Sequence, residues 1–449
     1  MVTLDVWAGA DLIGVLGHDP QANRFSFDYA EDWRKAEDRF PLSPQLPLQR
    51  PDGETTEQHS AQVRQFFENL LPEGEALDHA AQAAGTTRSN LVGLLIALGK
   101  ETAGALQVTL AGDKTVTPVV AGAEHLREIT PAQLSERIRE RENLPFSVWD
   151  GKVRLSIAGY QDKIAVYERA GRWFLVEGGR LASTEIVKPV PMRKQLASLP
   201  ANEHMSMQLA RRVGLDAANT RLVHVPEPVL LVRRFDRMET ADDEVRRLHI
   251  VDGCQALGLA VSMKYERAYG DGTEVAHLRD GVSFPKLFRL LDQSPVPAVD
   301  RLGLLRWAIF QVLIGNTDAH GKNVSFYCDE RGLRLAPAYD LVCMGALDAG
   351  FANTYAMAIG DAFSEDELTP YEWAHFAYLC KLPFRLIARE LDGLAGKVIA
   401  VTDELVAAML QQSVPATVAQ RFKEVVLATC ARQREHVGRI GRFKQSDFE

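Results

Sequence analysis

The sequence predicts an α+β fold in two lobes, with a β-rich N-terminal part and an all-helical C-terminal lobe. Three observations carry this. Short apolar runs of alternating pattern, divided by Gly, Pro and Asp turn formers, crowd the chain ahead of residue 237. Beyond about Asp252, nearly every apolar segment outside Asp318–Asp340 repeats at helical spacing. Leu302–Ile314 is apolar on every side, through Leu304, Leu305, Trp307, Ile309, Phe310, Val312 and Leu313, and its length favours a buried helix.

The elements follow in order. Leu4 and Val6, then Leu12–Leu16, then Phe25, Phe27 and Tyr29 alternate as an antiparallel meander, with Gly17-His18-Asp19-Pro20 as its clearest turn. Pro41, Pro44, Pro47 and Pro51 make an extended crossing segment. Val63–Leu71 and Asn90–Leu98 read as helices, the second capped by Ser89 or Asn90. Leu106–Leu110 reads as a strand. Thr130-Pro131-Ala132-Gln133 has the cap, first-turn proline and third-position glutamine of a helix start.

From about residue 150 two strands, Val153–Ile157 and Ile164–Tyr167, flank Ala158-Gly159-Tyr160-Gln161-Asp162-Lys163. That stretch is either an ordinary hairpin or a loop whose backbone N–H groups cover phosphates. Trp173–Val176 and Glu185–Lys188 are further strands, and Lys188 closes the second. Ala201–Val213 is a helix stopped by Gly214. Glu203 on its first turn either pairs with Lys188 or serves as an acid at a helix N-terminus. Val229–Val232 is a buried strand whose exit, Arg233-Arg234-Phe235-Asp236-Arg237, is a hinge or simply a strand end in solvent. Ser364–Glu367 and Thr369–Glu372 both look like helix starts, and helical spacing continues to the end of the chain.

With 449 residues the chain exceeds one core, and we divide it into 1–145, 146–237 and 238–449. A net charge of −9 argues against binding nucleic acid through the chain's own charge. The five cysteines form no Cys-x-x-Cys pair, which speaks against a disulfide framework or a zinc site. Without a signal-like N-terminus or an apolar run of spanning length, a soluble cytoplasmic protein is expected, with no membrane partner.

The chemistry concentrates after Ile314. Gly315 stops the buried helix, and the polar loop Asn316–Ser325 carries Asp318 and Asn323 five positions apart. That is the interval of the protein-kinase catalytic loop, where the Asp accepts the hydroxyl proton and the Asn holds magnesium. Leu333–Asp340 then reads as a short strand leading to a second carboxylate. Lysine, Asp, Asn and Asp in this order suit metal-assisted phosphoryl transfer, and carboxylate and amide oxygens suit a hard cation.

On these residues the chain resembles the HipA-type serine/threonine kinases, toxins of type II toxin–antitoxin pairs. The resemblance runs through Leu46-Pro47-Leu48, Phe67–Pro72, Ser156–Lys163, Ile186-Val187-Lys188, Asn202-Glu203, Arg234–Arg237, Gly315–Ser325 and Pro337–Asp340. It implies a protein-kinase-like two-lobed fold, with 1–145 a β/α subdomain, 146–237 a kinase N-lobe and 238–449 a helical C-lobe. It implies ATP and Mg2+ as cofactors, Asp318 as catalytic base, and Asn323 and Asp340 as magnesium ligands. Lys188 would hold the phosphates, with Ala158, Gly159, Tyr160, Gln161, Asp162 and Lys163 as the phosphate loop. His320 would lie beside the nucleotide, and the backbone of Arg233 and Phe235 would meet adenine. Ser156 would be the autophosphorylated serine, whose phosphate adds roughly two negative charges and ejects the loop. The substrate implied is an aminoacyl-tRNA synthetase, typically glutamyl-tRNA synthetase. The partner implied is a HipB-like helix-turn-helix antitoxin, through which operator DNA is met indirectly. Tyr160 after Gly159 and Arg233 at the hinge depart from the family pattern. Two other classes fit the same residues: a co-repressor scaffold with little kinase activity, or a small-molecule kinase.

Overall fold

The computed structural model describes residues 1–112, 125–154, 161–241, 244–347, 350–351 and 353–449. It divides into two compact units. The first comprises Met1–Pro189, Val223–Val261 and Phe326–Leu333; the second comprises Val190–Leu222, Ser262–Ser325 and Arg334–Glu449.

In the first unit the expected meander forms, although its turn lies at 20–23, and Gly17–Asp19, read as turn formers, belong to the second strand. Val2–Ala8, Asp11–Asp19 and Arg24–Tyr29 pair antiparallel, and Leu106–Leu110 adds to the free edge of the first strand. Alternation sends Leu4, Val6, Ile13, Leu16, Phe25 and Phe27 inward. The helix Thr56–Glu68 covers that face, its Phe67 ring 6.1 Å from Phe27. It begins seven residues ahead of its apolar period, at a Thr55–Gln58 capping box. The Leu91–Leu98 helix is capped by Asn90, whose Oδ1 accepts from Gly93 N at 3.0 Å; of the two candidates, Ser89 is not the cap. Two helices escaped the sequence reading, Glu31–Lys35 and Gly74–Ala83. The first has barely one turn, and alanines rather than large apolar residues mark the inner face of the second.

A six-stranded sheet follows, in the order Thr220–His224, Pro228–Arg233, Glu185–Pro189, Ile164–Arg169, Arg172–Glu177, His125–Ile129. Ile164, Val166, Trp173, Leu175, Val187, Val229 and Leu231 fill one face, against Leu134 and Ile138 of the helix Pro131–Glu140. That helix starts at the expected Thr130–Gln133 box. Of the strand expected over Val153–Ile157, only Val153 and Arg154 fall within the described residues; Val153 ends the two-residue strand Lys152–Val153, and Arg154 lies beyond it.

The expectation of an all-helical part over 238–449 is corrected. Arg237–Glu239 pairs with Val245–Arg247, and Ile250–Asp252, Ser325–Asp329 and Gly332–Leu335 form a three-stranded sheet. The strands at 237–252 have three residues each, too few to show a period.

The second unit is mainly helical: Leu199–Arg212, Phe284–Leu290, Pro297–Leu313, Pro370–Leu379, Phe384–Gln411 and Ala416–Ile440. Pro297–Leu313 is the expected buried helix, with Leu304, Leu305, Ile309 and Phe310 fully enclosed. Only one of the two neighbouring helix starts is real. Thr369 caps Pro370–Leu379, whereas Ser364–Glu367 is a turn in which Glu367 Oε2 accepts from Phe363 N. No helix among the described residues is long and apolar enough to cross a membrane.

Candidate active site

The second unit builds a tightly held loop on the end of the buried helix. Gly315 takes φ 63°, a left-handed stop that a β-carbon would strain. Asn316 then ties the loop back to the helix. Its Nδ2 donates to Gln311 Oε1 at 2.8 Å, and its Oδ1 accepts from Asp318 N at 3.2 Å. Thr317 O accepts from Ala356 N, fixing the other edge. Every residue from Asn316 to Phe326 is buried except Asp318, which is exposed. A turn former needs no such setting; here the whole loop is buried and one carboxylate is exposed. Asp318 Oδ1 accepts from the Tyr265 hydroxyl at 2.8 Å.

Beyond Asp318 the loop makes a short 3-10 turn, Gly321–Asn323, begun by His320. His320 Nδ1 accepts from Lys322 N at 3.2 Å, which places the ring proton on Nε2. Burial, reinforced by Lys264, holds this imidazole well below its ordinary pKa although Asp340 opposes the shift. The ring is therefore neutral near pH 7, and it meets Tyr265 edge-on at 5.2 Å. Gly321 N donates to Lys264 O, and a β-carbon at Gly321 would lie 2.5 Å from Val282 Cγ2, so only glycine fits this approach.

Asn323 Oδ1 accepts from His320 N at 3.3 Å, and Asn323 Nδ2 donates to Asp340 Oδ2 at 3.0 Å. Asp340 itself sits at φ 57°, in the left-handed region that Asp tolerates better than most residues. Its neighbours hold it there. The Tyr339 hydroxyl donates to Lys322 O at 2.6 Å, and Ala338 exchanges backbone bonds with Asp216 and Ala218. Buried Asn202 clamps Cys343 through both its backbone N and O. Asn323 and Asp340 thus meet directly and together offer carboxylate and amide oxygens. These are hard donors of the kind magnesium takes; for both to hold one ion the Asn323 amide would turn over, giving up its bonds with His320 N and Asp340 Oδ2. A magnesium ion held there would draw charge from phosphate oxygens.

Gln161, Asp162, Lys163, Lys188, Arg233 and Phe235 lie in the first unit. Lys188 is buried in the strand Glu185–Pro189, opposite Leu230. Gln161 Nε2 donates to Pro189 O at 3.3 Å, next to that lysine. Lys163 is buried. Burial pushes the Asp162 carboxyl up, against the pull of Arg141 and His79. Arg233 is drawn to Glu185 and Glu239, both at 3.1 Å, and Phe235 O accepts from the Tyr327 hydroxyl at 3.1 Å. Ser156, Ala158, Gly159 and Tyr160 lie outside the described residues. Glu203 is corrected in one respect: its helix begins at Leu199 and has no acid in its first turn, so the helix-terminus reading does not apply.

Residues 155–413 match the HipA-like C-terminal domain, and residues 4–109 match the HipA N-terminal domain. The chain belongs to the HipA family of serine/threonine-protein kinase toxins. It is 37% identical over 435 residues to the serine/threonine-protein kinase toxin HipA of Shewanella oneidensis, covering 96% of each chain. A putative kinase of Sinorhizobium fredii is 34% identical, over 91% of this chain and 92% of its own. Among solved structures, HipA in the Shewanella oneidensis complex of HipA, HipB and operator DNA superposes with a TM-score of 0.85. That match has 35% identity and covers 98% of this chain and 100% of that one. The mixed helix-and-strand fold is thus that of HipA, and the chain is a kinase.

Several residues that shape this HipA-family loop carried no signal in the sequence. Tyr265 touches Asp318 from 53 residues away. Buried Glu266 binds Arg279 and Ala358 N and so holds the Tyr265 segment in place. Asn202 and Tyr339 stood inside the quoted motifs, but their clamping contacts appear only in three dimensions.

Proposed function

We propose that this chain is an ATP- and magnesium-dependent protein serine/threonine kinase that acts as a toxin. In this reading it phosphorylates a serine of an aminoacyl-tRNA synthetase, glutamyl-tRNA synthetase first among them, and so stops translation. A HipB-like helix-turn-helix antitoxin neutralises it and brings operator DNA to the complex. The single observation that supports it most is the loop in which Asp318 alone is exposed, five residues ahead of an Asn323 that contacts Asp340.

The roles follow from the chemistry. Asp318 aligns the acceptor hydroxyl and takes its proton. Asn323 and Asp340 hold magnesium. Lys188 orients the phosphates, with 158–163 as the phosphate loop and His320 beside the nucleotide as a neutral ring. The backbone of Arg233 and Phe235 meets adenine, and Ser156 is the autophosphorylation site. The kinase-like two-lobed layout belongs to the same proposal, with 1–145 as N-terminal subdomain, 146–237 as nucleotide-binding part and 238–449 as the part bearing the catalytic loop. So does a cytoplasmic location, where synthetase and ATP are found.

The test is phosphate transfer by the full chain and by Asp318→Asn, followed by phosphoproteomics after brief expression. Transfer to a synthetase serine by the wild type, lost in the variant, is the expected result. Equal transfer by both removes Asp318 from its role, and an absence of synthetase phosphopeptides removes the proposed target.

A further inference from the structure

The charged strand exit, read from the sequence as a hinge or a strand end in solvent, is buried. Arg234, Asp236 and Arg237 are 3%, 4% and 5% exposed. Arg234 uses all five of its N–H donors: to Asp236 Oδ1 and Oδ2, to Glu101 Oε1, to Ser183 Oγ and to Thr102 O, at distances of 2.7 to 3.0 Å. Asp236 Oδ2 also accepts from Gly104 N at 2.7 Å and from Arg237 Nη1 at 2.9 Å. Glu101 gathers the arginines: Oε1 faces Arg234 and Arg237, Oε2 accepts from Arg247 at 3.0 Å, and the Ser183 hydroxyl donates to Oε1 at 2.6 Å.

This network brackets one residue. Arg234 precedes Phe235 and Asp236 follows it, and both side chains are bound to the segment Glu101–Gly104. The backbone is held as well, since Arg234 N donates to Thr184 O and Leu248 N to Asp236 O. Burying Arg234, Arg237 and Asp236, with Glu101 and Arg247 partly buried beside them, is a poor route to stability, because desolvation cancels most of the attraction. What it does supply, through an Arg234 whose five donors are all used while Arg237 Nε and Arg247 Nη1 find no acceptor among the described residues, is one fixed geometry around Phe235.

We propose that Glu101 is a positioning residue for nucleotide binding: through Arg234 and Asp236 it sets the backbone around Phe235, so the N-terminal subdomain shapes the adenine contact. This rests on the assignment of Arg233 and Phe235 to adenine. Removing the charge of Glu101 leaves the three arginines with one carboxylate, Asp236, among them. They then separate, and the segment between Arg233 and Asp236 shifts.

The experiment uses the full chain with magnesium and measures dissociation constants for ATP and for inorganic tripolyphosphate, which has no adenine, with melting temperatures alongside. For Glu101→Gln we expect ATP affinity to fall roughly tenfold, with tripolyphosphate affinity unchanged. Equal losses for both ligands, or no loss in a folded variant, overturn the proposal. If Glu101→Gln does not fold, Ser183→Ala takes its place. It removes only the hydroxyl shared by Arg234 and Glu101, and an unchanged ATP affinity there overturns the proposal equally. The underlying adenine assignment fails separately and visibly, if the wild type binds ATP no better than tripolyphosphate; the proposal then falls with it.

Discussion

Asn323 Nδ2 and Asp340 Oδ2 stand 3.0 Å apart, joined by a hydrogen bond that spans 17 residues of sequence. Replacing the amide by a carboxylate sets two like charges across that gap. Asn323→Asp should therefore lose roughly 1–2 kcal/mol of stability in EDTA, the scale of one pKa unit or slightly more forced on a carboxyl pair. Magnesium should restore it, because a divalent cation between two carboxylates reverses the sign of the interaction. Thermal melts with and without magnesium check this. A variant that melts at the wild-type temperature in EDTA, or that ignores magnesium, would show that the two groups do not share a cation.

Much of this loop could be read from sequence because its signals are local. An apolar helix, a glycine that stops it and a polar loop with a fixed Asp-to-Asn interval lie within one short stretch. The segment Arg233–Arg237 shows why other parts could not be read. Arg234 and Asp236 look like residues bound for solvent, since a charged cluster after a strand usually is. Their burial depends on Glu101, 133 residues upstream of Arg234, and no periodicity links the two. Tyr265 is hidden for the same reason, as is the inner face of Gly74–Ala83, where small side chains leave no apolar period.

Tyr265 gives the second prediction. Its hydroxyl donates to Asp318 Oδ1 at 2.8 Å, while its ring meets His320 edge-on. Tyr265→Phe keeps the ring and removes only the hydroxyl. A hydrogen bond to a charged group contributes about 1.5–3 kcal/mol, so part of that loss at Asp318 should lower kcat roughly tenfold. The KM for ATP should stay at its wild-type value, and the melting temperature should fall only slightly, since the bond is made to an exposed carboxylate. Steady-state kinetics separate the outcomes: a higher KM for ATP with unchanged kcat would place Tyr265 on the nucleotide rather than on Asp318.

Acid should weaken the first unit in a defined range. Burial raises the Glu101 carboxyl, but Arg247, Arg234 and Arg237 outweigh it and hold the group at about 2, below its ordinary 4.5. The Asp236 carboxyl is likewise lowered, with burial opposed and overcome by Arg234 and Arg237. A depressed carboxyl contributes stability that is complete above its unfolded pKa and disappears as pH falls through its folded value. The unfolding free energy should thus decline between about pH 4.5 and pH 2, with up to roughly 3 kcal/mol of the decline from Glu101. Urea melts across that range should show a shallower slope for Glu101→Gln than for the wild type. Parallel slopes would mean that Glu101 titrates alike in the folded and unfolded chain.

Gly321 offers a test of the loop that a second substitution can reverse. A β-carbon there would lie 2.5 Å from Val282 Cγ2 and 2.7 Å from Val282 Cβ, and Val282 is fully buried with nowhere to go. Gly321→Ala must then push the turn outward, carrying His320 and Asn323 with it. Overpacking of this kind costs about 1–3 kcal/mol, and phosphate transfer should fall further than stability does, because the displaced residues include Asn323, a proposed metal ligand. Val282→Gly removes Cγ2, Cβ and Cγ1, the three carbons that would lie 2.5, 2.7 and 2.8 Å from the new β-carbon. Combining it with Gly321→Ala should return activity toward that of Val282→Gly alone, a favourable coupling between neighbours rather than a sum of two losses. If the double variant is instead as impaired as the sum of the singles, the close contact at Gly321 is not what holds Asn323 against Asp340.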